Sequence, residues 1–188
     1  MNKLSKITFF GIFFTSTIAL AEYPQIKPGY WQITTIREAQ PARVVETCLD
    51  KNTMEEIINM GQQVMGSSCS DMKMVKNGDV YNSNVDCNMG NIKISTVSAY
   101  EGNFQDSYTF NVETKFVPAM MGKTGSKSTG NGKFVGECPS GMKPGDTKME
   151  DGKIINPKEM LDKMPKDFLK NMGEMMKKLP QMNGNVPK

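Results

Sequence analysis

The sequence contains no histidine. That removes every Ser-His-Asp or Cys-His nucleophile and the commonest general base at neutral pH. It lacks clustered cysteines as well. The gaps between Cys48, Cys69, Cys87 and Cys138 are wide, so neither a zinc site built on C-x₂₋₄-C nor a redox-active C-x-x-C is present. No basic stripe with interleaved aromatics appears, so no nucleic-acid partner is expected. Carboxylate pairs are available in principle, as in glycoside hydrolysis. Yet Glu55 and Glu56 open a helix, and Asp71, Asp79 and Asp86 surround a turn. Helix-dipole stabilisation and solvated turn chemistry account for them. Gly122-Lys123-Thr124 resembles the end of a phosphate loop, but the glycine required at 117 is Val117. The chain is therefore expected to be no enzyme and to need no cofactor.

What is present begins with a leader. Lys3 and Lys6 form a basic start, Ile7 to Leu20 is apolar, and Ala19-Leu20-Ala21 has the small-x-small cleavage pattern. The apolar run is short for a membrane span, and no stop-transfer pattern follows. Residues 1–21 are read as a signal peptide of the Sec pathway, and a periplasmic location is expected. Cleavage removes two lysines and no acid, which brings the whole-chain charge of +3 closer to neutral. No transmembrane segment is expected after cleavage.

Four cysteines in an exported chain argue for two disulfides. Several connectivities are open to four cysteines, and one local argument selects among them. Met72–Lys76 and Val80–Asp86 flank Asn77-Gly78-Asp79, a hairpin signal. A three-residue loop there pairs positions whose numbers sum to 156, which sets Cys69 opposite Cys87. Cys48 and Cys138 are then left to each other.

The rest of the mature part reads as mostly antiparallel β. Tyr30–Glu38 alternates, with Trp31, Ile33 and Thr35 on one face, and Arg43–Cys48 returns as a second strand. Thr53 and Glu56 form a capping box for a helix with Met54, Ile57, Ile58, Gly61 and Met65 on its apolar face, ending at Gly66. Ile92–Tyr100 and Phe104–Val117 make another strand pair. Tyr108, Phe110, Val112, Thr114 and Phe116 face the core, and Ser107, Thr109, Asn111, Glu113 and Lys115 face water. Pro118 is expected to end that strand, and Met120–Gly132 reads as a mobile loop. Lys133–Cys138 is expected to complete the sheet. Asn156 caps a tail helix with Pro157 at its first position.

The expected fold is α+β, mostly antiparallel β, a single curved sheet or half-barrel with six to seven strands. One helix packs on it, and a C-terminal helical extension follows. Residues 22–146 form the disulfide-stapled β-rich domain. Residues 147–188 form a Met/Lys-rich helical tail, partly disordered.

Several pieces together resemble a known family. They are Lys27-Pro28-Gly29-Tyr30-Trp31-Gln32-Ile33-Thr34 at the start, Cys48-Leu49 before an acidic helix, Cys69, Cys87, and Gly136-Glu137-Cys138-Pro139. The chain resembles the DUF3617 group of exported proteobacterial proteins, a domain of unknown function, over residues 27–146. The resemblance implies a periplasmic setting and carries over no catalytic residue.

Two functional expectations follow. The first is a non-catalytic periplasmic binding or envelope-associated protein whose partner is a small apolar ligand or an envelope protein. An antiparallel sheet with a helix against it curls into a half-barrel, and Trp31, Tyr30, Phe110 and Phe116 are the candidate ligand face. The second rests on methionine, of which there are seventeen. Met72 with Met74, Met120 with Met121, and Met172 with Met175 and Met176 are close sets of soft thioether donors that suit copper. Methionine is also an adaptable core filler.

Overall fold

The computed structural model of the chain describes residues 23–65, 68–70, 72–120 and 122–165. The expected signal peptide, Gly66, Asp71, Met121 and the methionines of the tail beyond Pro165 lie outside these residues. The elements run β1 (Gly29–Arg37), β2 (Arg43–Leu49), α1 (Thr53–Met65), β3 (Lys73–Asn77), β4 (Val80–Met89) and β5 (Ile92–Gly102). They continue with β6 (Ser107–Met120), β7 (Lys123–Gly136), β8 (Thr147–Lys148), β9 (Ile154–Ile155) and α2 (Pro157–Asp162). Among the described residues nine strands form one open sheet in the order β3-β4-β5-β6-β7-β1-β2-β8-β9. Every pairing is antiparallel. The expected fold class holds, with more strands than the sequence suggested.

Strand alternation decides which face turns inward. Trp31, Tyr108, Phe110, Tyr100, Tyr81 and Met74 fall on one face through the registers Phe110↔Tyr100, Tyr100↔Tyr81 and Met74↔Ser83. Trp31 and Leu49 come from β1 and β2, while Met74 and Tyr81 come from β3 and β4 at the other side of the order. All four belong to one core cluster with Ile26, Phe104 and Tyr108. The sheet is therefore curled, with this face inside. The opposite face carries Ser107, Thr109, Asn111, Glu113 and Lys115 on β6, as its alternation requires.

One end of the curl is plugged. The loop between β5 and β6 turns on Asn103, whose side-chain oxygen accepts from the N–H groups of Gln105, Asp106 and Ser107. Phe104 takes a left-handed φ of 54° and is buried. Its ring stacks on Tyr108 at 5.3 Å and meets Tyr81 edge-on at 5.4 Å. The N-terminal segment crosses the same end, with Lys27 N–H donating to Phe104 O at 2.8 Å.

Four local expectations are corrected. The segment read as a loop at Met120–Gly132 is mostly strand β7, in the middle of the sheet between β6 and β1. Its glycines are there for clearance. A Cβ on Gly130 would stand 2.1 Å from Thr34 O and 2.5 Å from Phe110 Cζ. Large rings from β6 lie across small residues of β7. Pro118 does not end β6, which runs on to Met120 past a cis Val117–Pro118 bond. The β6–β7 register shifts between Lys115 and Met120, so residues 116–119 bulge away opposite Thr124. The Thr53–Glu56 capping box is absent. Thr53 N–H donates to Asp50 O, its hydroxyl accepts from Asp50 N–H, and Glu56 turns to Lys158 Nζ at 3.2 Å. Finally, Asn77 pairs with Val80, so the β3–β4 loop has two residues rather than three. Cys69 still faces Cys87, because three positions separate Cys69 from Lys73 while only two, Val85 and Asp86, separate Cys87 from Asn84, the partner of Lys73. The extra residue restores the pairing that the longer loop was expected to give.

Both disulfides are formed, Cys48–Cys138 and Cys69–Cys87, with Cα atoms 5.6 and 3.9 Å apart. The first sits beside a buried polar junction. Asp146 O accepts from Cys48 N–H at 2.9 Å and from the Thr47 hydroxyl at 3.0 Å. The Asp146 carboxylate accepts from Lys143 N–H at 2.9 Å and from Asn156 Nδ2 at 2.8 Å. Burial pushes this carboxyl upward, but the Lys143 amide and the Asn156 side chain outweigh it and hold its pKa below the usual value. Asn156 also caps α2, accepting from Glu159 N–H at 3.1 Å, as the sequence suggested.

Candidate functional site

The inner face divides into a sealed part and an open part. In the sealed part Trp31 is wholly buried, and its indole N–H donates to Lys27 O at 2.9 Å. Tyr108 and Phe134 both lie 5.6 Å from the Trp31 ring. Burial, with a smaller contribution from Tyr100, pushes the Tyr108 phenol up to about 12. Burial likewise raises Tyr100. These groups stay neutral at any physiological pH.

The open part follows along the same strands. Val112, Thr114 and Phe116 on β6 are half-buried, as are Ile94 and Thr96 on β5 and Val85 on β4. The registers Thr96↔Thr114, Ile94↔Phe116 and Val85↔Thr96 place them side by side. Thr96 and Thr114 share a hydroxyl–hydroxyl bond of 3.1 Å, which leaves their methyl groups free for apolar contact. Ser126 and Ser128 continue the face on β7 opposite Thr114 and Val112. Across β4 to β7 no inward position carries a carboxylate, an amine or a guanidinium. The outer face of the same strands carries Glu101, Lys93, Asp86, Glu113, Lys115, Lys127 and Lys133.

Two hollows adjoin the open part. One of about 630 Å³ lies where the β6 bulge stands away from β7 and is lined by Phe116, Val117, Pro118, Ala119 and Ser126 among others. Glu113 and Lys127, 3.7 Å apart, are also in its wall. The other, of about 320 Å³, lies at the β1–β2 turn and is lined by Thr35, Arg37, Gln40, Pro41, Ala42, Arg43 and Glu150.

The four residues expected to form one ligand face are not brought together. Trp31 is consumed by the core. Tyr30 points to the other face, as its neighbour in a strand must, and its phenol donates to Glu46 Oε2 at 2.9 Å. Lys148 Nζ reaches the same oxygen at 3.0 Å. The Lys148 and Tyr30 hydrogen bonds hold the Glu46 pKa down. Phe110 is packed against the core cluster and marks the boundary of the sealed part. Phe116 alone stands in the open part. Among the methionines, Met74 is in the core cluster, and Met72 and Met120 are half-buried. Among the described residues, no three or more Cys, Asp or Glu side chains gather as a metal site. No helix among them is long and apolar enough to cross a membrane.

Sequence reasoning missed the β6 bulge, the Val85–Ile94–Thr96 wall and the two arginines at the β1–β2 turn. The arginine signal was readable. Trp31, Ile33, Thr35 and Arg37 share parity on β1, and Arg43 lies opposite Thr35.

The family model described as protein of unknown function (DUF3617) matches residues 26–138. That span runs from the first core residue, Ile26, to the second cysteine of the Cys48–Cys138 disulfide. No curated protein and no solved structure matches the chain.

Proposed function

The chain belongs to the DUF3617 family, and we propose that it is a non-catalytic, exported binding protein that holds a small apolar molecule on the open part of its curled sheet. One observation carries the reading. A continuous uncharged face, from Val112 to Phe116 and across to Val85, stands on the inner side of the sheet and is only half-buried. Apolar surface left in a concavity gains free energy when a ligand removes it from water, at about 25 cal/mol per Å². Two disulfides with no free cysteine favour an oxidising compartment, which supports the periplasmic part of the reading.

Native mass spectrometry of the protein released gently from a bacterial periplasm tests both parts. The expected mature species has lost the residues up to Ala21 and four hydrogens, and carries an organic adduct. Val112→Glu is expected to lose the adduct, because a charge would be buried under it. A full-length species would overturn the export reading. Wild-type protein that takes up no apolar molecule even when one is supplied would overturn the binding reading.

A further inference from the structure

The open face ends at the only two arginines in the sequence. Arg37 and Arg43 flank the β1–β2 turn. Register places both with the inner face. Arg43 pairs with Thr35, and Arg37 pairs with Ser128, which pairs in turn with Val112. Arg37 thus stands level with the first residue of the uncharged strip. Both arginines line one hollow of about 320 Å³ with Thr35 and Gln40. Neither forms an ion pair with any described residue. Glu150, the one carboxylate in that wall, accepts the Val44 N–H at 2.9 Å.

Guanidinium groups favour planar carboxylates, which they grip with two parallel hydrogen bonds. An apolar chain starting at Arg37 has an uncharged floor along Val112, Thr114 and Phe116, and beyond it the hollow at the β6 bulge, where Phe116, Val117, Pro118 and Ala119 offer apolar contact and Glu38, Glu113, Lys115 and Lys127 complete the wall. From Val112 to Phe116 the strand spans roughly 13 Å at about 3.3 Å per residue, and the hollow at the bulge extends the path beyond it. That suits one extended long-chain acyl group. The sealed aromatic cluster blocks a path in the other direction.

We propose that the ligand of this face is a free long-chain fatty acid, its carboxylate held between Arg37 and Arg43 and its chain laid along β6. This rests on the apolar-binding reading above and adds the head group to it.

The test uses the mature, disulfide-bonded protein and two probes with the same chain, palmitate and hexadecanol, each competing with a fluorescent fatty acid. Wild type is expected to bind palmitate roughly tenfold more tightly than hexadecanol, with a preference that weakens as salt rises. Arg37→Gln with Arg43→Gln is expected to erase the preference by weakening palmitate far more than hexadecanol. Both positions are exposed, so the fold should tolerate the change. A preference that survives the double variant, or no preference in wild type, overturns the head-group assignment while hexadecanol binding keeps the apolar reading intact. Failure of both probes overturns both. Tighter binding of a lysophospholipid than of palmitate overturns the choice of a free acid.

Discussion

Gly132 lies directly under the ring of Tyr108. A Cβ built on Gly132 would come within 2.3 Å of Tyr108 Cε1 and 2.4 Å of Cζ. The ring cannot swing clear, because Phe104 stacks on it at 5.3 Å and Trp31 lies 5.6 Å away. Gly132→Ala is therefore expected to cost about 1–3 kcal/mol through overpacking. Urea unfolding measures it. A variant as stable as wild type would show that the ring and strand are not held in this contact.

Phe104 combines a buried ring with a left-handed backbone, φ 54°. Truncation to alanine removes the ring and keeps the strained Cβ. Truncation to glycine removes both. Phe104→Gly should therefore be more stable than Phe104→Ala by roughly 1 kcal/mol, the reverse of the usual order. Thermal melts of the two variants decide it, and an alanine variant equal to or better than glycine would contradict the backbone assignment.

The two disulfides close loops of very different length. Cys48 and Cys138 are separated by 90 residues, and Cys69 and Cys87 by 18. Chain-entropy reasoning gives about 4.5 kcal/mol for the first and about 3 kcal/mol for the second. Paired serine variants of each bond, compared under oxidising conditions, should follow that order. Equal or reversed losses would mean that the denatured chain is already organised around one of them.

Asp146 gives a pH dependence with a definite sign. Its folded pKa is lowered from 3.8, so the unfolded state binds the proton more readily. Its contribution is present in full above the unfolded pKa. It is lost as pH falls from about 4 through the lower folded value. Stability measured from neutral pH to pH 2 should fall across that window, and less steeply in Asp146→Asn. Identical slopes in the two proteins would remove Asp146 from the acid transition.

Much of the fold was legible because period-two alternation is a strong signal when the residues are large. Tyr108, Phe110, Val112, Thr114 and Phe116 announced the inner face of β6, and that face is where they lie. β7 was not legible for the converse reason. Gly125, Gly130 and Gly132 have the composition of a loop, and only the rings of Tyr108 and Phe110 above two of them explain why a strand needs them. The Cys69–Cys87 pairing survived an incorrect loop length, because an additional residue before Lys73 compensated for it. The candidate face failed at a point the sequence could have settled. Trp31 and Tyr30 are neighbours in a strand and cannot share a face. The Arg37–Arg43 hollow was readable only in part: parity puts Arg37 on the face of Trp31, but it takes the hairpin register, with Arg43 opposite Thr35, to bring the second arginine to that face.

Val112 and Val97 lie on adjacent strands, with Val112 opposite Ser98 inside and Val97 opposite Glu113 outside. Valine and isoleucine methyl spectra recorded while hexadecanol is added test the central claim most directly. The binding-face account predicts shifts at Val112, Val85 and Ile94, with Val97 and Val135 unmoved. Shifts confined to the outer valines, or none at saturating ligand, would contradict it.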